Sequence, residues 1–567
     1  MYKFLIGISS ILIFAFGVSA QEMCDMNEQV PIRVMQQELN RNFKALRKQK
    51  PPIYYLSYRY NEIDRVDISA SFNALSVFRN QDNALYVLAR AGSTEMDNTR
   101  SLKGQKREYE QVSSTNVPNP RAVDERPFKL RLWAATEQAA EKAQRQYTKV
   151  TSFTRTMTEA KDKSADFVFP PTETACYTRP VQDIDLEKVK TLVEQAAKLP
   201  IGNPYVLDYK ISFSYVHQNS YFVDSRGTRL VLPSELMRLT YQLTNRLQDG
   251  MEVERFGDYN MAGVEELPTL EQLQADIQKS LAELEALSKA PEGDPLTAPT
   301  LLKGRAAAVF VHEVLGHRLE GHRQKDDSEG QTFTGKVGQP VISNLLTIVD
   351  DPTMAQFNGK TLRGHYLYDE KGVKAQAVTL VENGVLKNFL LSSSPIKGFS
   401  VSNGHGRAGG NHRAVARMGI LRAVPSQTVS YEELEKQLVQ EIVRQGKPYG
   451  FIVEDLGGGF TFTGKSMPQS FKLEAKYVWK VYPDGQKELV RGLDVVGTPL
   501  VSFNKVLAAG NDDTIFDGSC GAESGWVPQT NIAPSLLFEN LEMERTQTSP
   551  WKPPLLPSPL QKKGGAK

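Results

Sequence analysis

One heptapeptide, Val311-His312-Glu313-Val314-Leu315-Gly316-His317, limits the backbone more than any other stretch of this chain. Two imidazoles flank a carboxylate, and the apolar run Ala306-Ala307-Ala308-Val309-Phe310-Val311 leads into them as a buried helix would. The two histidines are five residues apart, not four as in the common zinc-protease pattern H-E-x-x-H. On a regular α-helix a five-residue step rotates the second ring by about 140° from the first, so the two diverge. A π turn, which is wider, returns positions i and i+5 to one side. The motif therefore predicts a local departure from α geometry, with Gly316 easing either a bulge or a helix break.

The chain has 567 residues, enough for at least two domains. Its 68 Lys+Arg nearly balance 66 Asp+Glu, which excludes bulk attraction to nucleic acid or to an anionic membrane. The short basic run at 103–107 reads as solvated loop. Residues 1–20 carry a lysine, the apolar stretch from Phe4 to Phe16 and the small residues Val18-Ser19-Ala20, the order of a cleavable secretory signal. Export to the periplasm or the exterior is therefore expected, with no membrane span in the mature chain. Three cysteines then remain, Cys24, Cys176 and Cys520. An odd count in an exported protein leaves one thiol over. The expectation is a Cys24–Cys176 disulfide with Cys520 kept as a metal-bound thiolate; three buried thiols is the alternative.

The patterning predicts an α+β protein. Residues 21–290 read as an antiparallel sheet with long helices. Residues 300–545 read as a hairpin-rich β domain carrying the metal-binding helix. In the first part a leading helix precedes three strands at 53–60, 66–72 and 85–89. A long helix opens at Pro127, lines up Leu130, Trp133, Ala140 and Tyr147 on one side, and runs to about Lys163. A helix over 185–199, strands at 210–216, 221–223 and 230–232, and a capped helix from Thr269-Leu270-Glu271-Gln272 follow. His217 stands on this sheet without convergent partners. Three prolines between Pro291 and Pro299 mark the boundary. In the second part Asn383-Gly384 and Pro483-Asp484-Gly485 read as hairpin turns, and 431–444 as a helix. The Pro-rich tail 546–567 reads as disordered.

A catalytic zinc takes three protein ligands and leaves one position open. His312 and His317 supply two. His322, the loop histidines His365, His405 and His412, and Cys520 compete for the third place; softness favours the thiolate.

The chain resembles the TldD/PmbA family of modulator-of-DNA-gyrase metallopeptidases. The likeness rests on His312-Glu313-Val314-Leu315-Gly316-His317-Arg318-Leu319-Glu320-Gly321, on Leu367-Tyr368-Asp369-Glu370-Lys371-Gly372, on Gly457-Gly458-Gly459 and on Gly518-Ser519-Cys520-Gly521-Ala522-Glu523. It covers about residues 300–545. The resemblance implies His312, His317 and Cys520 as zinc ligands, Glu313 as general base toward a metal-bound water, and a dimer, with itself or with a related paralogue, around an enclosed cleft. His322 stands where an acidic residue is expected, and a signal segment is foreign to the cytoplasmic members. The implied reaction is hydrolysis of extended, unfolded peptides docked as a strand on a sheet edge. His405 and Arg413 are candidates for steadying the oxyanion. Gly458 and Gly459 are candidates for letting a substrate backbone approach. The alternative is a catalytically silent peptide-binding subunit with a structural zinc, partner of an active paralogue; a fourth ligand from His322 would close the site that way.

Overall fold

Two strands of 19 and 18 residues, Ile53–Ser71 and Ala74–Ala91, organise the N-terminal half of the computed structural model. The structure describes residues 22–547 apart from 73, 103–110, 155–161, 327, 411, 465–469 and 504. The expected signal segment, the basic run at 103–107 and nearly all of the Pro-rich tail lie outside the described residues. The sequence suggests separate strands at 53–60 and 66–72, yet Asn61-Glu62-Ile63-Asp64-Arg65 continues the ladder without a break. Those five residues are paired with Ala74–Ala91 on one side and with Asp208–Asp224 on the other. With both backbone edges bonded, polar side chains no longer terminate a strand. The same holds for 208–224, expected as two strands and observed as one. Gly227, at φ +100°, turns it into Arg229–Arg246.

These four strands belong to an eight-stranded sheet, antiparallel except where Thr174–Thr178 meets Arg229–Arg246. One face is apolar at both ends, with the polar residues Glu62, Asp64, His217 and Asn219 between. Leu56, Tyr58, Tyr60, Val66, Ile68 and Ala70 are buried on one long strand, and Tyr209, Ile211, Phe213, Tyr215, Tyr221 and Val223 on its neighbour. Helices Val30–Leu46 and Arg126–Thr154 cover one end of that face. Leu186–Ala196 and Leu270–Lys289 cover the other. The last of these opens on the expected capping box, with Thr269 Oγ1 accepting from Gln272 N at 3.2 Å. The long helix differs from expectation. Phe128, Leu132, Ala135, Ala139 and Ala143 face the sheet, whereas Leu130 and Trp133 are 63% and 48% exposed. A stripe of alanines lets the helix lie close to the strands, and the bulky residues take the outer side. This helix does not reach Lys163; 162–165 is without regular structure. Cys24 and Cys176 form the expected disulfide, which fastens the leading segment to Thr174–Thr178.

Among the described residues the C-terminal half holds two larger sheets beside two short two-stranded ones. Five strands, Gly450–Thr461, Leu296–Leu302, Leu536–Arg545, Leu493–Gly497 and Phe471–Val481, close on themselves into a ring. A six-stranded sheet runs from Val385–Leu386 to Thr514–Ala522, an edge strand whose partner among the described residues is Gly525–Ala533. The Asn383-Gly384 turn has φ of 45° and 80°, as a tight two-residue hairpin requires. Between ring and sheet lies the helix Gly304–Phe310, where Phe310 meets Phe471, Phe503 and Phe538 at ring-centroid distances of 5.5, 5.1 and 4.9 Å. Residues from both sheets and this helix make one apolar core. Tyr477 packs instead with the N-terminal cluster. Lys325 joins the halves as well: its Nζ donates to Ala165 O at 2.7 Å and Ser164 O at 3.1 Å. Among the described residues no helix is long and apolar enough to cross a membrane.

Candidate metal centre

The helix that starts at Gly304 changes character where the histidines begin. Val311–Leu315 is a π turn, in which Gly316 N–H donates to Val311 O five residues back, and Gly316–Leu319 tightens to a 3₁₀ turn. The wide turn brings the His312 and His317 rings to one side, with centroids 5.0 Å apart. Gly316 is needed here for space and not for backbone freedom. Its φ is −53°, an ordinary helical value, but a Cβ would lie 2.1 Å from the buried Met418 Sδ.

Cys520 arrives from the edge strand Thr514–Ala522, over two hundred residues along the chain. Gly304 fixes the approach of helix and strand, since a Cβ there would lie 2.2 Å from Thr514 Oγ1. The Cys520 Sγ stands 3.1 Å from His312 Nε2 and 3.3 Å from His317 Nε2. Among the described residues this is the cluster of three such groups able to hold an ion, and all three are buried. The outer ring nitrogens are spoken for. His312 Nδ1 is 3.2 Å from Asn531 Oδ1, and His317 Nδ1 is 3.1 Å from Glu320 Oε1. Each oxygen takes an Nδ1 proton, which leaves an Nε2 lone pair facing the sulfur. Tetrahedral zinc with ordinary Zn–N and Zn–S bonds sets N···S separations of about 3.5 Å. The observed spacings are a few tenths shorter, so the donor set fits a small, thiophilic divalent ion.

Electrostatics point the same way. Burial alone would raise the Cys520 thiol, but His317 and His312 beside it hold it well below the thiol range. Burial also works against charge on His317, yet Cys520 and Glu320 push it up to about 10. Glu320 is fully buried and is nonetheless held down to about 2 by His317 and Arg323. The pocket thus draws positive charge, and a divalent cation can take the place of the imidazole protons. Glu313, next to His312 in the chain, is partly buried, and burial raises its carboxyl above the ordinary value. Its Cγ lies 3.2 Å from where a Cβ on Gly459 would sit, so this strand approaches the carboxylate closely because residue 459 has no side chain. The neighbouring Gly458, at φ +153°, lies where the pairing between Gly450–Thr461 and Phe471–Val481 slips; bulges of this kind often re-aim strands beside functional sites.

The other expected site residues divide. His322, which would have closed the coordination, is outside the cluster and pairs with Glu523. His405 is fully buried, with Nδ1 on Asn403 and Nε2 3.2 Å from Asp350 Oδ1. Its expected contact with a substrate oxyanion is therefore corrected: it is a structural partner of Asp350, which also accepts from Gly419 N and Ile420 N. Arg413 is part-buried, with Nη2 3.4 Å from Ser394 Oγ. His365 bonds Pro352 O, and His412 packs on Gly525. His217 lies 3.8 Å from Glu235 under the N-terminal helices. Sequence reasoning missed Glu320, Asn531 and Arg417. Glu320 had a signal of its own, an acid three residues after the second histidine of the motif, on a tight turn.

Known proteins are similar to this chain. Residues 295–545 match the model of the PmbA/TldA metallopeptidase C-terminal domain. A metalloprotease of Methanothermobacter thermautotrophicus is 26% identical over 372 residues, which span 64% of this chain and 75% of its own length. A zinc metalloprotease TldD homolog of Saccharolobus solfataricus is 20% identical over 385 residues, 67% of this chain and 82% of its own. The structure is similar to TldE from Thermococcus kodakarensis with a TM-score of 0.59 and 14% identity, covering 90% of this chain and 99% of that one. At that identity the likeness speaks for the fold alone.

Proposed function

The chain belongs to the TldD/PmbA family, whose matched members are metalloproteases, and from that premise we propose an exported zinc metallopeptidase acting on extended, unfolded peptides. One observation carries the reading: two imidazoles and a thiolate from distant segments converge with their lone pairs inward, next to a carboxylate that is not itself among them. His312, His317 and Cys520 would hold the ion. Three ligands leave a coordination position for solvent, whereas structural zinc sites are usually closed by four. Engagement of His322 by Glu523 speaks against the silent, structural-zinc alternative.

When bound, zinc lowers the pKa of a water and polarises the peptide carbonyl. The remaining work falls to the protein. Glu313 takes a proton from the attacking water and returns it to the leaving amine, a double duty that suits a carboxylate raised by burial. Gly458, with nothing within 4 Å of where a Cβ would sit, leaves room for a substrate backbone, whereas the corresponding space at Gly459 is filled by Leu473 and Glu313. The division into an N-terminal domain over 21–290 and a metallopeptidase domain over 300–545 goes with this reading, as does a dimer with itself or with a TldE-like paralogue. The Cys24–Cys176 disulfide supports export, since such bonds persist in oxidising compartments.

The test is Glu313→Gln. Hydrolysis of a fluorogenic unfolded peptide should fall by at least 100-fold, as expected for loss of a general base, with zinc content by elemental analysis unchanged. Hydrolysis at the wild-type rate would refute the role of Glu313, and wild-type protein without metal would refute the enzyme.

A further inference from the structure

The carboxylate of Glu320 does more than orient one ring. Its Oε1 lies 3.1 Å from His317 Nδ1 and 3.1 Å from Arg417 Nε, while Oε2 accepts from Arg323 Nε at 2.8 Å. Both guanidiniums then reach the hairpin that carries the thiolate. Arg417 Nη2 donates to the Cys520 backbone O at 2.9 Å, and its Nη1 donates to Ser524 Oγ at 2.8 Å. Arg323 Nη2 donates to Glu523 Oε2 at 3.0 Å. Glu320 and Arg417 are both fully buried. His312 is held differently, by Asn531 on the neighbouring strand.

We infer that Glu320 and Arg417 act as one positioning unit, which sets the helix-borne ligand His317 and the hairpin-borne ligand Cys520 against each other. The two ligands lie 203 residues apart in sequence. Through the shared carboxylate, rotation of the His317 ring and displacement of the Cys520 backbone become a single movement. Asn531 sets His312 on its own. The unit touches neither substrate nor metal. It works by fixing where two ligand atoms lie before an ion arrives, and so governs how tightly the ion is held.

The inference rests on the metal reading above and is tested separately from it. Zinc affinity is measured by chelator competition on the full mature chain for wild type, Glu320→Gln, Arg417→Met, Asn531→Ala and the pairwise combinations. Glu320→Gln and Arg417→Met should each weaken zinc binding by about 10–100-fold. Together they should lose little more than either alone, because each already breaks the unit. Asn531→Ala should multiply with either. Visible spectra of the cobalt-loaded proteins provide a second readout. Ligand-field bands move when a ligand is re-aimed and stay when a remote region is loosened. Should Arg417→Met fail to fold, Arg417→Lys replaces it, keeping the charge without the fork that spans both partners. Multiplicative losses from Glu320→Gln and the Arg417 variant, or wild-type affinity and spectra in both, would overturn the inference. Wild-type protein that takes up no zinc would instead overturn the metal reading.

Discussion

The two halves of the molecule solve the burial of polar backbone in opposite ways. The N-terminal half relies on repetition. Its long strands alternate apolar and polar residues, and among the described residues four helices cover one face. The C-terminal half relies on individual residues. Gly304, Gly316 and Gly459 are each required where another atom already occupies the position of a Cβ. Buried charges such as Glu320, Arg417, Asp350 and Asp369 are each matched by specific partners. A repeated pattern tolerates loss of any one contact. A site built on single residues does not, and this is the condition for holding three ligand atoms within a few ångströms.

The contrast can be tested most severely at Asp369. Burial raises this carboxyl from 3.8 to about 7, although it accepts from the backbone N–H groups of Lys371, Val373 and Gly406. A carboxyl whose folded value lies above its unfolded one favours the fold when protonated. Its contribution is full below pH 3.8 and is lost as pH rises through about 7. The displacement corresponds to roughly 4 kcal/mol. Wild type should therefore lose stability relative to Asp369→Asn between those limits, read as the difference of their denaturant midpoints across pH. Parallel pH profiles would mean that this half, too, spreads its stability thinly.

A somewhat smaller effect would blur the distinction from the other side. The Cys24–Cys176 bond is the one covalent fastening of the N-terminal half among the described residues. Changing both cysteines to serine should cost about 2–5 kcal/mol in chemical unfolding. A loss below that range would show that the repeated pattern suffices alone. The smallest effect sharpens the comparison. Trp133→Ser, on the outer side of the long helix, should shift stability by less than about 0.5 kcal/mol. A larger loss in a concentration-dependent melting experiment would reveal a partner on that helix.

Legibility followed the same division, with the advantage reversed at the site. The five-residue spacing of His312 and His317 contained the π turn, because no regular helix aligns those positions. The odd cysteine count contained the disulfide and the free Cys520. Asn383-Gly384 and Thr269-Leu270-Glu271-Gln272 wrote their own turn and cap. What failed were inferences that need tertiary context. The stretch 61–65 falls between two separately expected strands because sequence cannot show that both of its edges are paired. Leu130 and Trp133 looked like a core stripe because hydrophobicity was weighed without the closeness that alanines allow. His405 looked accessible among glycines, which serve there to pack backbone against backbone: a Cβ on Gly404 would lie 2.4 Å from Lys374 O. Asn531 and Arg417 carry no local mark at all, since their meaning comes from what they meet across the fold.

The ring of five strands has one more consequence. Its first strand in sequence, Leu296–Leu302, and its last, Leu536–Arg545, are partners, so that Leu296 sits opposite Met543. The polypeptide thus enters and leaves this half at neighbouring corners. The two chain ends of this half are held to each other by one antiparallel ladder.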